Sequence, residues 1–351
     1  MTSTLPAAGI DQARIANRAA LIEIIGGYMA SQALALAAEL KIADHVHAGV
    51  TASADLASAT GTHAPSLHRL LRTLVAIGLL AEPEPDRFAL TEVGEQLRTD
   101  SPNSLWAFTR FFTNPTLFSS WQQVGHTIKT GECAFDFVHG KNIYVHLAEN
   151  PELSALFNVA MGQESRVSAG LVADGYDYSG VRRVVDVGGG DGTLLSAILG
   201  AHPHLSGVCF DSAAGVAEAA GVLAAAGVSE RCEVVAGDFF SSVPGGGDLY
   251  VIKSVFQDWD DENARRLLRT VRESMPVDAT LLIVGSVLPD RANTENPVMF
   301  YTDINMLVTA GGRERTEAQF RALLAETGFV VESVGHGAAG PLSLITARPA
   351  V

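Results

Sequence analysis

The chain has 351 residues, 47% hydrophobic and 18% charged, a composition that excludes general disorder and provides for two packed domains or one enlarged domain. Twenty-four basic residues against 39 acidic ones give a net charge of −15, a field that repels phosphate backbones and anionic lipid surfaces, so neither nucleic acid nor a membrane is expected as a partner. Cys133, Cys209 and Cys232 are odd in number and lack CxxC spacing, which argues against disulfides and a zinc site and suits the reducing cytoplasm; no metal site is expected.

Residues 12–40 read as a helix that is apolar on more than one face and therefore needs a partner outside its own domain, which a second copy of the chain would supply. Its uncharged run, residues 24–38, is shorter than the roughly 20 residues that cross a bilayer. The mixed charges of Asp11, Arg14 and Arg18 before it do not fit a signal peptide. Then come Ser53-Ala-Asp-Leu, a turn at Gly61-Thr-His-Ala-Pro65, and an apolar stripe at Leu67, Leu70, Leu71, Leu74 and Ile77. With the short hairpin turning at Pro83 and Pro85, this is a winged-helix pattern. Residues 1–100 hold seven basic and eleven acidic side chains, a net of −4, the wrong sign for reading DNA. A dimerisation module is the better expectation.

Residues 101–175 carry most of the large aromatics on expected helices, a segment suited to roofing a pocket. From Arg182 the pattern becomes strand and helix in alternation, with strands at 183–187, 207–211, 233–236, 249–252 and 281–284 and an Ala-rich helix across 213–226. That is the signature of an α/β, Rossmann-like doubly wound sheet. Segments 329–334 and 342–346, joined by a Gly-rich link, suggest an antiparallel hairpin at one edge. The expected domains are a helical winged-helix module over 1–100, a helical linker over 101–175 that contributes to the substrate pocket, and a cofactor-binding catalytic domain over 176–351.

The most informative segment is Val184-Val-Asp-Val-Gly-Gly-Gly-Asp-Gly192, an apolar strand running into a glycine turn that opens a helix, where open α/β sheets bind ligands. A GxGxxG dinucleotide loop is not met, because its third glycine would fall on Thr193. Gly188 and Gly190 preceded by Asp186 suit S-adenosylmethionine instead, a ligand with an ammonium and a sulfonium and no pyrophosphate. Asp186 can hold its amino-acid end. Asp211, at the end of the next strand, can accept both ribose hydroxyls, while Asp238 and Phe239 can meet the adenine.

The chain resembles the class I S-adenosylmethionine-dependent methyltransferases, in particular the two-domain small-molecule O-methyltransferases of plant caffeate and bacterial polyketide-tailoring type. The likeness covers almost the whole chain. It rests on the winged-helix start, His126-Thr-Ile-Lys-Thr-Gly131, Phe157-Asn-Val-Ala-Met161, Asp186-Val-Gly-Gly-Gly-Asp-Gly192, Gly237-Asp-Phe239, Lys253-Ser-Val-Phe-Gln-Asp-Trp-Asp-Asp-Glu262 and Gly311-Gly-Arg-Glu-Arg-Thr316. The resemblance implies a homodimer whose N-terminal domain helps to close the partner's pocket, nucleoside contacts from Asp211, Asp238 and Phe239, and Lys253 beside the cofactor.

One departure bears on mechanism. The family's general base is a histidine just before the Asp-Trp pair, and here Gln257 stands in that place. An amide donates or accepts a hydrogen bond but takes no proton near neutral pH. The acid that orients the histidine corresponds to Gly285, which leaves Glu314 as the remaining acid. Four alternatives follow: an acceptor that ionises unaided, a base recruited from elsewhere, a nitrogen or ring-carbon acceptor, or a protein that no longer methylates, such as a methyltransferase-like hydroxylase. A winged-helix regulator is the non-enzyme alternative. The titratable groups to consider near the pocket are His139, His146, Tyr301 and Asp303, and none is singled out as the base. The expected function is methyl transfer to a small aromatic, phenolic secondary metabolite, with Gln257 positioning the acceptor. Phe112, Phe157, Met161, Phe256, Tyr301 and Met306 are candidates for the apolar wall.

Overall fold

The computed structural model describes residues 12–339 and 342–350. Asp11 and the Gly340-Pro341 part of the expected Gly-rich link lie outside them. The chain forms two compact units, Met1–Thr113 and Asn114–Val351. The division falls within the aromatic segment 101–175.

In the first unit, α1 (Gln12–Glu39) is followed by α2 (Ile42–His47), α3 (Ser53–Thr60), α4 (Ala64–Ala76), the hairpin β1 (Leu80–Glu84) and β2 (Arg87–Leu90), α5 (Glu92–Glu95) and α6 (Trp106–Phe112). The winged-helix reading holds. Leu67, Leu71 and Leu74 fall on one face of α4 and are buried with Leu56, Leu80 and Phe88. Gly61, at φ 65°, ends α3 in the left-handed region that glycine enters without penalty. The indole of Trp106 donates to the Ala38 carbonyl at 2.7 Å and ties α6 to the end of α1.

Along α1, Leu21, Ile22, Ile24, Ile25, Tyr28 and Met29 are all more than half exposed. The helix has 28 residues with an 18-residue window of mean hydropathy 1.4, long and apolar enough to cross a membrane by length and composition alone. The shorter estimate from residues 24–38 is corrected here, because the helix extends through Arg14, Arg18 and Glu23.

The second unit begins with α7 (Pro115–Trp121), α8 (Val124–Thr130), α9 (Ala134–His139), α10 (Ile143–Glu149) and the long α11 (Pro151–Gly175). The alternating region then follows: β3 (Arg183–Val187), α12 (Thr193–Ala201), β4 (Ser206–Asp211), α13 (Ala219–Ala225), β5 (Cys232–Ala236), β6 (Leu249–Lys253), α14 (Asp261–Ser274) and β7 (Thr280–Gly285). Last come β8 (Val287–Leu288), α15 (Pro297–Thr309), β9 (Arg315–Thr316), α16 (Glu317–Glu326), β10 (Phe329–Ala339) and β11 (Leu342–Pro349).

The sheet runs β10-β11-β7-β6-β3-β4-β5. Strands β7, β6, β3, β4 and β5 are parallel, and β11 pairs antiparallel with both β7 and β10. Val185 and Val187 enter the core layer that holds Leu267, Leu268 and Leu323. Val184 enters the opposite layer with Val172, Leu195 and Ile198. Burial on both faces is why these strands read as unbroken apolar runs. The Ala-rich helix is shorter than its composition suggests: α13 starts at Ala219, because the Gly215 N–H donates to the hydroxyl oxygen of Ser212, just past β4, and forms a turn.

Candidate active site

β3 ends at Val187, and the backbone then turns through Gly188, Gly190 and Gly192 at φ 77°, 54° and 79°, conformations that side-chain-bearing residues rarely adopt. The Gly188 and Gly189 amides donate to the Phe210 carbonyl at 2.8 and 3.1 Å, fixing the loop to the end of β4. A β-carbon on Gly188 would lie 2.6 Å from Val255 Cγ2. The loop therefore owes its shape to the close approach of the segment just beyond β6 (Leu249–Lys253) as well as to the turn.

Two acids flank the loop. Asp186 is 1% exposed, and its Oδ2 has no hydrogen-bond partner. Burial raises its pKa to about 7, opposed by Lys253 and reinforced by Asp211 and Asp191. Asp211 accepts from the Gly190 N–H at 3.0 Å and the Ser212 N–H at 2.6 Å, yet burial still holds its pKa above the ordinary value. A buried carboxyl with an orphaned oxygen fits a cationic ligand group, and the residues present thus fit S-adenosylmethionine, which carries two cationic groups. Asp238 is exposed and shapes its own turn by accepting from the Phe240 N–H and the Ser241 hydroxyl. Phe239 lies edge-on to Trp259, with ring centroids 6.1 Å apart.

Lys253, at the end of β6, is buried. Its Nζ pairs with Glu164 at 2.9 Å and donates to Ser165 at 3.1 Å. Glu164 was not singled out in the sequence; the only sign of it was a polar Gln163-Glu164-Ser165 run inside the apolar α11. Just before this run, Gly162 lets α11 approach the glycine loop, since a β-carbon there would lie 2.2 Å from Asp191 Oδ2.

Beyond Lys253 the chain makes a short 3-10 turn, Phe256–Asp258. Gln257, Phe256, Ser254, Gly285, Ser286 and Glu314 line a cavity of about 10 Å³, room for about one water. Nothing lies within 4 Å of where a Gly285 β-carbon would stand. Phe256 itself is 3% exposed and packs edge-on against Phe320, so its ring is part of the core behind that cavity.

Arg315 holds this turn in place, a role that was not legible from its motif. It is 1% exposed and donates to the Phe256 carbonyl at 2.8 Å, the Trp259 carbonyl at 2.9 Å and Asp261 at 2.8 Å. At Gly312 a β-carbon would lie 2.0 Å from the Gln257 carbonyl oxygen. Asp258 is raised to about 7 by burial, with a Tyr144 hydrogen bond opposing the shift, and the Tyr144 ring stacks on Trp259 at 5.4 Å.

The remaining candidates differ in their surroundings. Phe157 and Met161 are half-buried on α11 and Met306 is half-buried on α15. Tyr301 is 67% exposed. Phe112 belongs to the first unit, where it packs on Phe108 at 4.4 Å. His139 faces the Thr116 carbonyl at 3.1 Å, His146 sits edge-on to Phe135, and Asp303 accepts the Glu314 N–H at 2.9 Å. Among the described residues no group of three or more His, Cys, Asp or Glu side chains could hold a metal ion.

Comparison with known proteins identifies relatives of the chain. The family model of the O-methyltransferase domain matches residues 121–330, and that of the O-methyltransferase dimerisation domain matches residues 22–100. The chain is similar to the O-demethylpuromycin-O-methyltransferase of Streptomyces alboniger, 44% identical over 94% of this chain and 88% of that one. The crystal structure of LaPhzM superimposes with a TM-score of 0.89 at 38% identity, covering 95% of this chain and 99% of that one. The O-methyltransferase NcsB1 from neocarzinostatin biosynthesis, solved with S-adenosylmethionine and 2-hydroxy-5-methyl naphthoic acid, gives a TM-score of 0.76 at 34% identity over 91% of this chain and 95% of that one.

Proposed function

Because the chain belongs to the S-adenosylmethionine-dependent O-methyltransferase family, we propose that it methylates a hydroxyl on an aromatic natural product, working as a homodimer. The observation that carries this reading is the pair of strand-end acids, Asp186 with its orphaned oxygen and Asp211, together with a cavity lined by Ser254 and Gln257 just beyond β6, the strand that pairs with β3. When bound, S-adenosylmethionine supplies a methyl group already activated on a sulfonium. Asp186 holds the ammonium, Asp211 the ribose, and Asp238 and Phe239 the adenine, while Lys253, locked by Glu164, sets the electrostatics beside Asp186. Gln257 hydrogen-bonds the acceptor and orients it. In-line placement of this kind is worth up to about 7–11 kcal/mol through effective molarity. Phe157, Met161 and Met306 contribute apolar surface to the acceptor site. The aromatic acceptor is supported by the substrates in the names of the puromycin and naphthoate relatives.

The exposed apolar length of α1 is the surface through which two copies associate, in keeping with the dimerisation-domain match. The test of the function is methyl transfer from labelled S-adenosylmethionine to a panel of matched aromatic phenols and anilines, with product atoms assigned by mass and NMR spectra. Methylated phenols support O-transfer; methylated anilines alone would move the acceptor to nitrogen, and no product from either set would overturn the reading.

A further inference from the structure

Glu314 precedes β9 and is 3% exposed. Its backbone N–H is held by Asp303, and its carboxyl makes no hydrogen bond to the described residues while lining the same cavity as Gln257. The other ionisable groups around it are engaged. Arg315 is committed to three carbonyls and Asp261, Arg313 faces Asp261 at 3.6 Å, and Lys253 pairs with Glu164. A carboxyl buried to this degree beside a water-sized cavity is costly unless something arrives to use it.

We propose that Glu314, which lines the same cavity as Gln257, accepts the proton of the acceptor hydroxyl in this protein. The inference rests on the O-methyltransfer reading and adds the proton path to it. The hydroxyl proton passes to a Glu314 oxygen as the hydroxyl's electron pair forms the new O–CH3 bond. The pair of the broken methyl–sulfur bond stays on sulfur, giving S-adenosylhomocysteine, and Glu314 then loses the proton to solvent. Gln257 supplies the hydrogen bond that fixes the hydroxyl and Glu314 supplies the basic lone pair that the amide lacks. Burial, reinforced by Asp258 and Asp303 and opposed by Arg315, raises the Glu314 carboxyl to about 8, which suits proton removal from a phenol near pKa ~10.

The test compares wild type with Glu314→Gln on two acceptors, a phenol of ordinary acidity and a nitrophenol already ionised at pH 7. With the ordinary phenol, wild-type kcat should rise with pH through about 8, and Glu314→Gln should lose that inflection together with about 10²-fold or more in kcat. With the nitrophenol the variant should fall by less than about threefold, since no proton has to be removed. S-adenosylhomocysteine affinity by calorimetry should be unchanged, and infrared difference spectra should show a protonated carboxyl band in wild type that vanishes through pH 8 and is missing in the variant.

An inflection retained in Glu314→Gln, or equal losses on both phenols, overturns the assignment. If Glu314→Gln fails to bind S-adenosylhomocysteine, Glu314→Asp is measured instead: a lower rate with the inflection retained supports the assignment, and a flat profile overturns it. An inactive wild type would remove the O-methyltransfer reading and this inference with it, whereas an active wild type matched by Glu314→Gln removes the inference alone.

Discussion

Asp186 makes cofactor affinity depend on pH in a calculable way. Without ligand its buried carboxyl sits at about 7, so at pH 7 roughly half the molecules carry a proton there. An ammonium arriving beside it favours the carboxylate, and that proton must leave. Binding at pH 7 should therefore release about half a proton. Between pH 7.5 and 5.5 affinity should weaken by roughly 25-fold, about 2 kcal/mol, if the bound carboxylate titrates below 5. Calorimetry with S-adenosylhomocysteine in buffers of different ionisation enthalpy reads the proton count directly. Asp186→Asn should bind more weakly, release no proton at this site and lose the pH slope. A wild-type affinity that is flat over this range, or a slope that survives in Asp186→Asn, would refute the assignment of Asp186 to the ammonium. The same raised pKa acts on folding with the opposite sense. Between the ordinary 3.8 and about 7 the folded state holds a proton that the unfolded state has released, so ligand-free stability falls as pH rises through that window. Asp186→Asn should accordingly unfold at higher denaturant than wild type at pH 8.

Three further outcomes are expected. Light scattering at micromolar concentration should give about twice the 36.9 kDa chain mass, and Ile24→Glu with Ile25→Glu, which places charge on the exposed stretch of α1, should shift it to monomer; a wild-type monomer would sink the dimer reading. Gln257→Ala should lower turnover by about tenfold or less, the scale of one neutral hydrogen bond, and a loss of 10³-fold would mean that this position governs proton removal. Arg315→Met leaves three carbonyls and Asp261 without their donor and should cost on the order of 2–4 kcal/mol in urea unfolding; a change below about 0.5 kcal/mol would show that Arg315 does not hold the Gln257 turn.

The sequence revealed most clearly what is encoded locally. The strand, glycine turn and helix around Gly188 lie within a few residues of one another, and so does the Leu67, Leu71, Leu74 stripe, so spacing alone identified both. Asp211 was found by its place at the end of the next strand. Glu164 was not, because its partner Lys253 is 89 residues away and a single acid on a helix has no spacing that points to one lysine. Arg315 was visible inside Gly311-Gly-Arg-Glu-Arg-Thr316, yet its use as a clamp depends on carbonyls 56 and 59 residues earlier. Aromatic type was the weakest guide: Phe256 and Tyr301 are both large and apolar in sequence, and one is core while the other is mostly exposed.

The position of β11 has a consequence for biosynthesis. This strand lies between β7 and β10 in the sheet although it is the last along the chain of the eleven strands among the described residues, so residues 342–349 complete an interior position. While the ribosome is still adding them, β7 carries a bare row of backbone donors and acceptors flanked by Leu282 and Val284, the kind of open edge that recruits other chains. A message cut short before codon 342 would leave that edge exposed permanently, and its product should collect in inclusion bodies even though the glycine loop and both of its acids had already been translated.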